Sequence, residues 1–445
     1  HHHTAAGDFL VDLGSTLQRD IRKNPPTLLQ AVEKDLPSLV YYIFKQGSAQ
    51  RAPNTLEKQL KEKDENGRTP LLKAASEGRV EVFRRLWENV SSPTALGNMP
   101  SKTATPSTEA LSKIASSSDL GLPDGELVLH EAISKGHSEI FEIVVESCPT
   151  AVGWLEGRGR TPLFSACFYG YPELLQRLLV LKSDPTATDF TEETPLHAAA
   201  AGGHVAVMKL LLEAYQIQVA GTNSSVLEAE DWEGATPAHF SVREGHVEVC
   251  EYLASRNADF QKALDFNVTP LQVACERGHT GVLRFLIDLM ENLGGRDLLR
   301  ESLQSSKSSD GRTPFLTACA QGHLDSCKVL ASRSEDERFL LEQVDRDKRS
   351  ALHLASKLGK AELCEWILSS KAFTTAYLQA RDSCDWTPLL VSAASGSKEV
   401  VRCLLERKAD VTVVDDEGHT ARDLAKLKGH AMVEQLLKKA EETQL

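Results

Sequence analysis

Thr194-Pro195-Leu196-His197-Ala198-Ala199-Ala200-Ala201-Gly202-Gly203-His204, closed by Leu211-Leu212, is the phrase that decides the fold of this chain. Threonine before proline suits a helix start, because the hydroxyl caps orphan amides and proline fits the first helical position. Gly202-Gly203 sits where that helix must stop and turn back. A second helix then carries Val207, Met208, Leu211 and Leu212 on one face. Such a helix pair cannot bury itself alone, so copies of it must stack.

Copies recur along the chain. Starts fall at Thr69, Leu127, Thr161, Thr194, Thr236, Thr269, Thr313, Ser350, Thr387 and Thr420. The steps from 161 to 194, 236 to 269 and 387 to 420 are 33 residues, and that from 127 to 161 is 34. The same offsets applied to Pro26 place Ala31 in a helix core and Leu39, Val40, Ile43 and Phe44 at the apolar pair positions. That degenerate first copy has Asp35 at the glycine position and Leu36 at the histidine position. At the other end, Glu434 and Lys438 replace apolar residues beside Val433 and Leu437, as a polar terminal cap requires.

A 33-residue period with Thr-Pro-Leu-His resembles the ankyrin-repeat family, in which a β-turn leads into two antiparallel helices. The resemblance covers about residues 26–440. It implies an all-α ankyrin-repeat solenoid of about eleven helix-turn-helix units with short β-hairpin tips. His1–His3 read as a tag remnant, 4–25 as an N-terminal capping helix and 441–445 as a C-terminal tail. Three stretches exceed the period. The first, about 91–122, is rich in Ser, Thr, Ala and Pro and reads as a mobile loop. Its Ser92-Pro93 and Thr105-Pro106 resemble proline-directed kinase sites, although a passive insertion is the simpler reading. Smaller insertions fall at about 214–229 and 291–308.

Composition narrows the function. A net charge of -13 without basic runs argues against nucleic-acid binding, which needs a phosphate-neutralising stripe. No apolar stretch approaches the roughly 18 residues of a membrane span. The nine cysteines follow the repeat, with Cys167, Cys275 and Cys319 at one position of the first helix and Cys250, Cys327 and Cys364 at one of the second. They read as small buried hydrophobes in a reducing, cytoplasmic compartment. Three sequons, at Asn89, Asn223 and Asn267, carry no weight without secretion.

The fourteen histidines are absorbed by the tag, the Thr-Pro-Leu-His position (His130, His197, His239, His353), the Gly-His position and one turn, His419. No HExxH or CxxC pair appears, and no metal ligand, catalytic residue or cofactor is assigned. Gly157-Arg158-Gly159-Arg160 lacks the rest of a phosphate loop, and Asp64-Glu65-Asn66-Gly67 lacks calcium-loop spacing. Both read as repeat tips.

The resemblance implies a protein or peptide partner on the concave face, made by tips and first helices. Candidate contacts are Phe168 and Tyr169 on a first helix, and Phe190, Trp232, Phe266 and Trp386 in tips. Arg160, Arg312 and Arg349 add positive charge beside the starts. The alternative for the aromatics is packing of one tip on the next, and for the arginines a solvated charge. The expected function is a non-enzymatic scaffold or adaptor. Two further readings stay open, the cytoplasmic ankyrin domain of a larger protein such as a TRP-type channel, and the targeting domain of a multidomain enzyme. The residues leave the oligomeric state open.

Overall fold

Most helix pairs begin on a capping threonine because capping is local chemistry. In the computed structural model, the Thr69, Thr161, Thr269, Thr313 and Thr387 hydroxyls accept the amide three residues on, at 3.2–3.4 Å. The histidine of the motif completes this cap. The amides of Thr194, Thr236 and Ser350 donate to Nδ1 of His197, His239 and His353 at 3.1–3.2 Å. Nδ1 therefore carries no proton, and Nε2–H donates onward. His239 reaches the Lys262 carbonyl and His353 the Trp386 carbonyl, both at 3.0 Å. Burial pushes the pKa of His239 down to about 4, so it stays neutral at physiological pH.

The structure describes residues 27–49, 53–91, 125–218, 224–264, 268–334 and 336–444. The expected tag remnant, the capping helix and all but the first residue of the Ser/Thr-rich insertion lie outside them. The described residues form helix pairs that fall into two compact units, His1–Asn223 and Ser224–Leu445. In the first unit the pairs open with Leu28–Glu33, Pro70–Glu77, Gly125–Ser134, Pro162–Tyr169 and Pro195–Gly202. In the second they open with Pro237–Glu244, Pro270–Arg277, Pro314–Gln321, Ala351–Leu358, Pro388–Ala394 and Ala421–Leu427. Within each unit first helices pack on first helices and second on second. Val207, Met208, Leu211 and Leu212 are buried as their spacing requires, and so are Val433 and Leu437.

The glycine–histidine pair is a fastener between neighbouring repeats. Gly170 ends its helix at φ 78, and a Cβ there would collide with the His204 ring. Nε2 of that ring donates to the Phe168 carbonyl at 3.1 Å. His279 and His323 repeat this on the Arg243 and Glu276 carbonyls, each at 3.0 Å. Asp35, at the glycine position of the degenerate first copy, adopts φ 51. That helix is capped by Thr27, one residue later than the repeat phase places it.

The tips are turns, and no strand forms among the described residues; only isolated bridges such as Val344 with Ser350 mark a hairpin. An aspartate five residues before the start organises most of them. Asp64, Asp189, Asp231, Asp345, Asp382 and Asp415 each accept the amides two and four residues on, at 2.7–3.1 Å.

Departures from the period among the described residues include helices. Pro53–Lys61 is an extra helix between the first two pairs, which the repeat pattern does not announce. The second helix Val205–Gln218 is long, and a short turn, Ser224–Leu227, opens the second unit. Helix Thr280–Ser305 breaks at Gly295 (φ 69, ψ -166) and resumes, with Leu299 and Leu303 buried. Residues 441–444 of the expected tail instead continue the last helix, Ala431–Gln444, and 445 lies outside the described residues.

Candidate partner-binding face

The repeat that starts at Thr161 differs from the others where its first helix ends. Seven and eight residues after each start, the other copies place small, polar or aliphatic residues, such as Ser76-Glu77, Ala201-Gly202 and Ala394-Ser395. Here they are Phe168 and Tyr169, 39% and 45% exposed, with rings packed edge to face at 5.2 Å. The Gly170 cap and the His204 bond to the Phe168 carbonyl fix the backbone beneath them.

The two rings border a hollow of about 140 Å³ within the first unit. Leu72, Leu127 and Phe164 give it apolar walls, and Glu131, Glu156 and Arg160 give it charge. Leu72 and Phe164 hold the position that is histidine in the copies with His130, His197, His239 and His353, and Leu127 stands in the phase of the capping threonine. His130, between them, is tied off: Nδ1 lies 2.8 Å from the Ser165 hydroxyl and Nε2 3.1 Å from the Trp154 carbonyl. Burial, then the negative charges of Glu156 and Glu131, push the Tyr169 hydroxyl pKa up, so it remains a proton donor.

Of the nine candidates read from sequence, Phe168, Tyr169 and Arg160 come together on this hollow. Arg160 also belongs to the framework. Its guanidinium lies 3.2 Å from Asp189, 3.5 Å from Glu193 and 3.9 Å from Glu156, and 4.8 Å above the Phe164 ring. Burial opposes ionisation of Asp189, but bonds from Thr191, Arg160 and the Glu193 amide outweigh it and hold its pKa below the usual value. Phe190 fastens two tips. Its amide donates to the Arg158 carbonyl at 3.0 Å, and its ring lies where a Cβ on Gly159 would come within 2.5 Å.

The other candidates lie in the second unit. Arg349 pairs with Asp345 at 2.9 Å and Asp347 at 2.7 Å, and Arg312 with Asp310 at 3.4 Å and Asp345 at 3.7 Å. Trp386 is half-buried in its tip, whereas Trp232 is 70% exposed at the turn Asp231–Gly234. Phe266 lies outside the described residues. A wider hollow in this unit is lined by Lys307, Ser308, Ser309 and Arg346, with no aromatic ring. Of the missed residues of the first hollow, Leu72 and Phe164 had a signal in the broken histidine position, whereas Leu127, Glu131 and Glu156 are brought to it only by the packing of neighbouring repeats.

Among the described residues no helix is long and apolar enough to cross a membrane, and no cluster of His, Cys, Asp and Glu is arranged to hold a metal. Every cysteine except Cys384 is buried. Burial raises the thiol pKa of Cys250 to about 11 and that of Cys364 to about 12.

Comparison with known proteins agrees with the geometry. A family model described as ankyrin repeats in three copies matches residues 102–189, 166–263, 260–337, 290–377 and 374–445. An E3 ubiquitin-protein ligase of Arabidopsis thaliana is 24% identical over 86% of the chain and 21% of its own length. Human transient receptor potential cation channel subfamily A member 1 is 24% identical over 86% of the chain and 43% of its own length. A glycerophosphocholine phosphodiesterase of Candida albicans is 28% identical over 47% of the chain and 18% of its own length. The chain thus spans less than half the length of each of these relatives. With the motif, the capped helix pairs and the family match in agreement, the chain belongs to the ankyrin-repeat family.

Proposed function

We propose that this chain is a non-enzymatic protein-interaction module, a scaffold or adaptor working in the cytoplasm. It holds an extended segment of a partner along the concave face made by first helices and tips. The observation that carries this reading is the Phe168–Tyr169 pair, exposed over a hollow. Exposed aromatics on a rigid support are common energetic anchors, and a pre-organised receptor loses little ordering entropy on binding. Trp232 offers a second exposed ring for the same role in the second unit. Phe190, Trp386, Phe266, Arg160, Arg312 and Arg349 complete the proposed contact set, with the three arginines acting through the tips they brace. The net charge of -13 favours protein over nucleic acid as the partner.

A second reading follows from the alignment lengths. The chain matches a channel subunit over 86% of itself and 43% of that protein, so it also fits the ankyrin portion of a larger protein. The alignment with a phosphodiesterase supports a targeting segment of an enzyme in the same way. Both readings keep the binding role of the face.

The test is selection of binders from a displayed random-peptide library. Selected peptides should lose at least tenfold in affinity on the double substitution Phe168→Ala, Tyr169→Ala, equivalent to about 1.4 kcal/mol. Unchanged affinity for every selected peptide would overturn the reading.

A further inference from the structure

We infer that the hollow beside Phe168 and Tyr169 receives a cationic side chain, lysine or arginine, from an extended partner segment. This rests on the partner-binding reading above and names the chemistry of its central contact. A volume of about 140 Å³ is close to the roughly 150 Å³ cavity that accepts one benzene, so it fits one side chain rather than a helix. Leu72 and Leu127 suit an aliphatic stem. Long cationic side chains bury such stems along apolar surface while the charged head stays in polar surroundings.

The charge at the hollow selects the head group. Arg160 is the one formally cationic side chain on the lining, and it lies within 4.0 Å of three carboxylates, Glu156, Asp189 and Glu193. Its charge is therefore more than answered. The Glu131 carboxylate adds a further negative charge to the lining. Glu131 and Glu156 line the same hollow as the Phe168 and Tyr169 rings. A cation there gains from the carboxylates and from the ring faces together. The chain uses the same chemistry internally, with Arg160 at 4.8 Å from the Phe164 ring and Arg243 at 4.2 Å from that of Phe240.

The experiment uses the full chain and four glycine–serine heptapeptides with one central guest: lysine, arginine, norleucine or glutamate. Binding is read from the methyl signals of Leu72 and Leu127 by NMR in low salt. The lysine and arginine guests should bind at least fivefold tighter than norleucine, and glutamate weakest. Glu131→Gln should cut the cation preference to less than half, while Phe168→Ala weakens all guests. Raising the salt should shrink the preference, because the pairing is partly exposed. Equal binding of norleucine and lysine, a preference for glutamate, or no guest moving these signals would each overturn the inference. The binding face itself stands or falls separately, on whether library-selected peptides lose affinity in the double alanine variant.

Discussion

Two neighbouring helix ends, Phe168-Tyr169-Gly170 and Ala201-Gly202-Gly203, share one backbone and do different things. Both end on a left-handed glycine, at φ 78 and φ 81. In the first, two aromatic rings stand exposed. In the second, the same positions are nearly empty of side chain, and the space is already filled. A Cβ on Gly202 would collide with the Phe168 carbonyl oxygen, which also accepts the His204 bond. The smallness of one repeat therefore supports the aromatic display of the one before it. Framework and recognition positions are adjacent in sequence, separated only by whether the next repeat leaves room.

The sharpest way to break this comparison is Gly202→Val. The collision is with backbone, which cannot swing aside, so overpacking should cost about 3 kcal/mol or more. Urea unfolding measures it; a loss under 1 kcal/mol would show that the helix end is free to move.

A somewhat smaller effect is expected at the motif histidine of the second unit, the position taken by Leu72 and Phe164 at the hollow. Burial lowers the folded pKa of His239 from 6.5 to about 4. The unfolded chain takes up the proton first, so stability is full above pH 6.5 and falls as the pH drops toward 4. By pH 5 the loss from this site should reach about 2 kcal/mol. His239→Gln should remove that part of the acid sensitivity. Gln272 already occupies this position one repeat later and donates to the Arg312 carbonyl at 3.0 Å. An unchanged acid slope in His239→Gln would place the proton uptake elsewhere.

The smallest stability effect belongs to the display positions. Phe168→Ala or Tyr169→Ala should each shift unfolding by no more than about 1 kcal/mol, because both rings are well exposed. A shift like that of Gly202→Val would make them framework residues and erase the distinction.

Much of this was legible in the sequence because it is local. Caps, glycine exits and the aliphatic spacing act within a dozen residues, and the motif histidines announce themselves by phase. Phe168 and Tyr169 stood out for the same reason, as aromatics where the other copies have none. What the sequence hid is what depends on distant partners. Arg160 reads as a loose cation until Asp189, 29 residues away, is brought within 3.2 Å. Phe190 reads as an isolated tip residue until its ring, still 76% exposed, is set against Gly159. Glu131 and Leu127 gain meaning only when three first helices lie side by side. Helix Pro53–Lys61 falls outside the period, so no phase argument reaches it.

The first-helix and tip face around Tyr169 is the proposed seat of the partner. Amide hydrogen exchange of the chain with and without a library-selected peptide tests it most directly. Slowed exchange should concentrate in 125–134 and 156–170, with the second helices Ser138–Ser147 and Pro172–Val180 unchanged. Protection confined to those second helices would contradict it.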